Sequence, residues 1–136
     1  MIGLLVMAYG GPNNIDEVEP YLLDVRGFRP TAPEIIHEVR ERYREIGGRS
    51  PILKQTREQA TALETALNTD GQEFKVFVGM RHWHPYIKDT LAEMQAQGIE
   101  RAVGLVMAPH RSRMSIEAYF KKIGEAGSSK IGRAHV

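Results

Sequence analysis

A chain that opens with a short apolar run, closed at once by two glycines and a proline, has few ways to fold. Residues 3–12 read GLLVMAYGGP. Leu4, Leu5, Val6 and Met7 follow one another without polar alternation, the pattern of a strand buried on both faces of a parallel sheet. Gly10, Gly11 and Pro12 stop it. The same apolar body returns in GLVMAPH (104–110), whose first four residues close a strand RAVGLVM at 101–107, and EFKVFVG at 73–79 supplies a third strand. Helical patterns separate them. Thr31-Ala32-Pro33-Glu34 is a capping box with proline in the first turn, and Ile35, Ile36, Val39, Tyr43 and Ile46 keep helical spacing after it. Ser50-Pro51 opens another helix, with Leu53, Ala60, Leu63 and Leu67 on its inner face. Pro85–Gln97 forms the next, with Ile87, Leu91 and Met94 inward, and a last one starts near Ser115. Residues 15–24 read as a short helix interrupted at Pro20. Strands separated by helices imply parallel pairing through right-handed crossovers. The expected fold is α/β, a Rossmann-like parallel sheet with flanking helices.

Open sheets of this kind take their ligands at the carboxyl ends of the strands. Tyr9 lies there, as do MRHWHP (80–85) and the end of GLVMAPH, so Tyr9, His82, His84 and His110 are expected along one rim. GGPNNI is not a dinucleotide fingerprint, and Pro12 lacks an amide that a phosphate would use. His82-x-His84 has no carboxylate or cysteine beside it to complete a zinc set. Ser112 and Ser115 form no nucleophile elbow. Tyr9 is left with two readings: a ring that packs at the top of the sheet, or a phenolate ligand to iron.

The formal charge of +1 gives no bulk attraction to nucleic acid or membrane. Its distribution says more. Six of the twelve arginines, Arg26, Arg29, Arg40, Arg42, Arg44 and Arg49, fall within residues 26–49, a stretch without lysine. Arginine forks suit carboxylate or phosphate. Arg40 and Arg44 fit a solvated helix laced with pairs such as Glu38–Arg42; Arg26 and Arg29 lie in a loop rich in glycine and proline. The absence of cysteine excludes disulfides and cysteine-held iron–sulfur clusters within this stretch. No apolar segment approaches the ~20 residues of a membrane span, and a cytoplasmic protein is expected.

Residues 1–127 are expected to form one domain and 128–136 an unstructured tail. IGRAHV (131–136) resembles the translation of a common sequencing adapter and is read as an artefact.

GLLVMAYGGP, RERYREIGGRSPI (40–52) and MAPHRSRMSIEAY (107–119) together resemble the N-terminal half of ferrochelatases, specifically the bacterial coproporphyrin III type, from about Ile2 to Gly127. The resemblance implies a lyase of haem biosynthesis that inserts Fe²⁺ into a porphyrin held between two similar Rossmann-like halves. It implies that Tyr9 is the axial iron ligand and that Arg26, Arg42, Tyr43, Ser50 and Tyr119 contact the porphyrin. Coproporphyrin carries four propionates, which suits forked cations and hydroxyls. The family's catalytic histidine and glutamate belong to the second half, so no catalytic residue is expected here, and the fragment is expected to be inactive alone. Iron is then a substrate, no resident cofactor is expected, and the partners are porphyrin, ferrous iron and the missing half. Gly11, where threonine is the alternative, departs from the pattern, and the 26–30 loop has one arginine fewer. The rival readings are a protoporphyrin IX ferrochelatase or another tetrapyrrole chelatase, and a tetrapyrrole-binding module without catalysis.

Overall fold

The opening apolar run forms β1 (Ile2–Ala8), an inner strand of a parallel sheet of order β2-β1-β3-β4, with β2 at Phe74–Met80, β3 at Ala102–Val106 and β4 at Ile131–His135. The structure is a computed structural model that describes residues 1–71, 73–107, 113–125 and 131–135, without the side chains of 113–115 and 131–135. In register, Leu5 stands between Phe77 and Gly104. Successive side chains of β1 serve opposite faces, as strand geometry requires. Leu5 and Met7 join Phe77, Ile87, Leu91, Met94, Tyr119, Phe120 and Ile123 on one face, under α4 (Ile87–Ala96) and α5 (Arg113–Glu125). Leu4 and Val6 join Ala60, Leu63 and Leu67 of α3 (Ile52–Leu67) on the other. Burial on both faces explains the unalternating run. The parallel α/β architecture is as expected.

The long first crossover holds a 3₁₀ turn (Ile15–Glu17), α1 (Val18–Val25), α2 (Pro33–Glu45) and α3. Pro20 does not interrupt α1. It sits in the first turn, where a backbone N–H has no intrahelical acceptor to lose. The expected capping box is also absent, although the helix starts where it should. Pro33 takes the first helical position, so the cap falls on Ala32, whose methyl cannot hydrogen-bond, and the Thr31 hydroxyl oxygen is buried without a partner among the described residues. Within α2 only Ile36 is buried; Ile35 and Ile46 are exposed.

Residues 131–135 form the fourth strand. They pair in parallel with β3, Ala102 opposite Ile131 and Val106 opposite His135. An open strand edge presents a row of unpaired N–H and C=O groups that an extended segment satisfies through its backbone, whatever its composition. Among the described residues, no helix is long and apolar enough to cross a membrane.

Candidate functional site

Two loops meet at the carboxyl rim of the sheet. After β1 the chain turns through Gly10, at φ +94, a conformation open to glycine at little cost. After β2 it runs through Arg81, His82, Trp83 and His84 to Tyr86, the residue that caps α4. Backbone bonds lock the two together: Arg81 N–H donates to the Ala8 carbonyl at 2.9 Å and His82 N–H to the Tyr9 carbonyl at 3.0 Å.

Tyr9 is 38% exposed. Its ring packs on the His82 imidazole, centroids 4.6 Å apart and planes at 59°. The Arg81 guanidinium lies 5.8 Å from the Tyr9 ring centre and 5.6 Å from that of Tyr119, within cation–π range of both. The Arg81 Nε is buried and has no hydrogen-bond partner among the described residues. Tyr119, expected at a porphyrin contact, is only 2% exposed and belongs to the core beneath the rim. Burial pushes its phenol up to about 12, with the Arg81 charge opposing. Tyr21 donates to the Gly10 carbonyl at 3.1 Å. Burial raises its phenol well above the ordinary value, and charge on Tyr43, Tyr9 or Tyr119 would raise it further. These four tyrosines therefore share one electrostatic neighbourhood.

Two carboxylates from the segment after β1 hold the second loop. Glu17 accepts the Trp83 indole N–H at 2.6 Å and the Asn13 amide at 2.9 Å. Asp24 faces His82 Nδ1 at 2.7 Å and accepts from the Tyr86 hydroxyl at 3.1 Å. Burial lowers the His82 pKa, partly offset by the Asp24 hydrogen bond, while burial pushes Tyr86 up to about 12. His84 is exposed and meets the Trp83 and Tyr86 rings edge-on instead. The two histidines thus serve different neighbours, and no group of three metal-ligating side chains is found among the described residues. His110 and Ser112 lie outside the described residues, as does the side chain of Ser115.

The other expected contacts divide. Arg26 is half-buried at the end of α1, and its carbonyl accepts from Arg29 Nε at 2.9 Å. The adjoining Phe28 sits at φ +65 and is 75% exposed, a strained backbone presenting an aromatic ring to solvent. Arg42 pairs with Glu38 at 2.5 Å on the outer face of α2, Arg44 pairs with Glu41, and Arg40 reaches Glu19 at 3.5 Å. Tyr43 is half-buried, which raises its pKa. Ser50 touches the first loop directly: its N–H donates to the Pro12 carbonyl at 2.8 Å. It lines a cavity of about 500 Å³ with Asn13, Arg49, Lys54 and Arg57. A second cavity, of about 400 Å³, is lined by Asp24, Phe28, Arg81, Tyr86 and Lys122.

Arg81, Asp24 and Glu17 are the residues that sequence reasoning missed. Arg81 had a signal: it follows Met80 just as Tyr9 follows its partner Ala8 across the ladder. The two acids gave none, since their partners lie 58 and 66 positions away.

Comparison with known proteins adds a family. The model of the family described as ferrochelatase matches residues 1–136. A coproporphyrin III ferrochelatase of Oceanobacillus iheyensis is 48% identical over 126 residues, 91% of this chain and 40% of the relative. A ferrochelatase of Deinococcus radiodurans is 45% identical over 125 residues, 92% of this chain and 40% of the relative. A coproporphyrin III ferrochelatase of Listeria innocua is 44% identical over 137 residues, 99% of this chain and 44% of the relative. The chain spans about 40% of the length of such relatives.

Proposed function

The chain belongs to the ferrochelatase family, and from that premise we propose that it is the N-terminal part of a coproporphyrin III ferrochelatase, a cytoplasmic enzyme of haem biosynthesis that inserts Fe²⁺ into the porphyrin. The supporting observation is Tyr9: a half-exposed phenol at the carboxyl rim of the central strands, backed by His82 and flanked by Arg81. In this reading Tyr9 supplies an oxygen to the iron. Arg26, Arg42, Tyr43 and Ser50 supply polar contacts to the propionates, and Tyr119 acts through the wall it forms beneath Arg81. Arg42 must exchange its surface bond to Glu38 for a propionate, which costs little at an exposed pair. The names of two of the relatives above point to coproporphyrin as the substrate.

Metallation breaks two pyrrole N–H bonds, releases two protons and forms four iron–nitrogen bonds, with no change in the metal's oxidation state. A base within reach of those protons and a wall to hold the ring off-planar are both needed. In the proposal the remainder of the protein supplies them, and iron enters as substrate. The test joins residues 1–125 to the second part of the Oceanobacillus relative and follows porphyrin absorbance under anaerobic Fe²⁺. The joined protein is expected to metallate coproporphyrin above the uncatalysed rate, and the 136-residue chain is not. Metallation by the chain alone, lost on substituting His82 or His84, would place the catalytic centre in this part and overturn the proposal.

A further inference from the structure

Asp24 stands in the last turn of α1 with its side chain largely buried. Its two oxygens meet different donors, His82 Nδ1 at 2.7 Å and the Tyr86 hydroxyl at 3.1 Å. An ionised carboxylate only accepts, so it keeps a proton on Nδ1, and a neutral imidazole held this way has its lone pair on Nε2. No other side chain among the described residues is hydrogen-bonded to that ring. Tyr86 occupies the second oxygen from the cap of α4, so the carboxylate is fixed from two sides.

The ring that Asp24 fixes is the one packed on Tyr9 at 4.6 Å. His82 also holds Tyr9 through the backbone, its N–H donating to the Tyr9 carbonyl. Tyr9 is thus gripped twice by one residue, at main chain and ring, and the rotamer of that residue is set by Asp24. The apolar clusters that hold the sheet include neither Asp24 nor His82. A phenol at the surface without backing would sample more than one staggered well, whereas a ligand must be held within about 10–20° of its working direction.

We propose that Asp24 is a positioning residue for Tyr9, acting through His82: it fixes the plane and tautomer of the imidazole, and thereby the direction in which Tyr9 presents its oxygen to the iron of the metallated porphyrin. The inference rests on the ligand role given to Tyr9 above.

The experiment uses the complete enzyme, or residues 1–125 completed by the second part of the Oceanobacillus relative, loaded with ferric coproporphyrin. Asp24→Asn, Tyr9→Phe and Tyr86→Phe are compared through the phenolate-to-iron charge-transfer band, porphyrin affinity and histidine ¹⁵N shifts. Tyr9→Phe abolishes the band. Asp24→Asn is expected to lose roughly half of it or more while porphyrin affinity stays within about twofold, the pattern of a supporting group behind a ligand. Tyr86→Phe, which leaves the Asp24–His82 bond in place, retains the band. A full band in Asp24→Asn beside its loss in Tyr9→Phe overturns the positioning role alone. So does an Nε2–H signature for His82 in the parent protein. A band that survives Tyr9→Phe overturns the ligand reading first, and the positioning role with it.

Discussion

A methyl group placed on Gly11 would stand 2.5 Å from both Cβ and Oγ of Ser50. The approach is imposed by the Ser50 N–H to Pro12 carbonyl bond at 2.8 Å and steadied by the Ile52 N–H, which donates to Ser50 Oγ at 3.3 Å. The loop after β1 and the turn before α3 are therefore one packed unit. A Cβ is not the free end of a flexible side chain, so relief of the clash requires backbone movement.

Gly11→Ala is accordingly expected to lower stability by about 1–3 kcal/mol, the usual cost of overpacking. In a Ser50→Gly background the opposing Cβ is gone and the cost should shrink. Urea unfolding of the four members of this cycle measures the coupling. Equal costs in both backgrounds would put the strain elsewhere.

The Trp83–Glu17 bond joins loops 66 positions apart. Glu17→Ala leaves a buried indole N–H without an acceptor, at an expected cost of about 1–3 kcal/mol. Glu17→Gln keeps an acceptor oxygen and should cost less. Thermal unfolding of both variants decides the matter, since equal losses would show that the charge, rather than the bond to the indole, carries the effect.

These pairs mark the boundary of what the sequence discloses. The strands were legible because burial on both faces leaves an uninterrupted apolar run, as in Leu4 to Met7. The helix from Ile87 was legible because Leu91 and Met94 recur at its period. Tyr119 was expected at a ligand contact and lies in the core. Its spacing from Ile116 and Ile123 already places it on the buried face of α5. Asp24 and Glu17 were invisible, because a carboxylate on a short helix reads as solvated until the fold brings His82 or Trp83 to it. The pairing of 131–135 was equally hidden, because it depends on the open edge of β3 and not on a pattern within those residues.

His82 gives a pH dependence with a definite sign. Its folded pKa is lowered by burial and by the Arg81 charge, against the Asp24 bond. The unfolded chain therefore binds the proton more readily. The stability associated with this group is complete above the ordinary histidine value of ~6.5 and is lost as pH falls from there through the lower folded value. Unfolding midpoints measured downward from neutral pH should show that decline, and His82→Gln should flatten it. A decline equally steep in the variant would assign it to other groups.

Arg26 offers the sharpest test of the substrate. Its guanidinium has no hydrogen-bond or ion-pair partner among the described residues, while its own carbonyl is engaged by Arg29. It sits where α1 ends and the chain passes into Gly27 and Phe28, both at positive φ. An arginine held at a strained turn, half-buried yet unpaired, is placed to accept an anion with little reorganisation. In the completed enzyme, Arg26→Ala should weaken coproporphyrin binding by about 1.5–3 kcal/mol if it makes one charge-assisted bond to a propionate. The loss should nearly vanish for the porphyrin esterified at its propionates, because the ester offers no charge to the fork. Titration of both porphyrins against both proteins, followed by absorbance, separates the cases. If acid and ester lose affinity equally, Arg26 serves the shape of the loop, and the propionates are held by other groups.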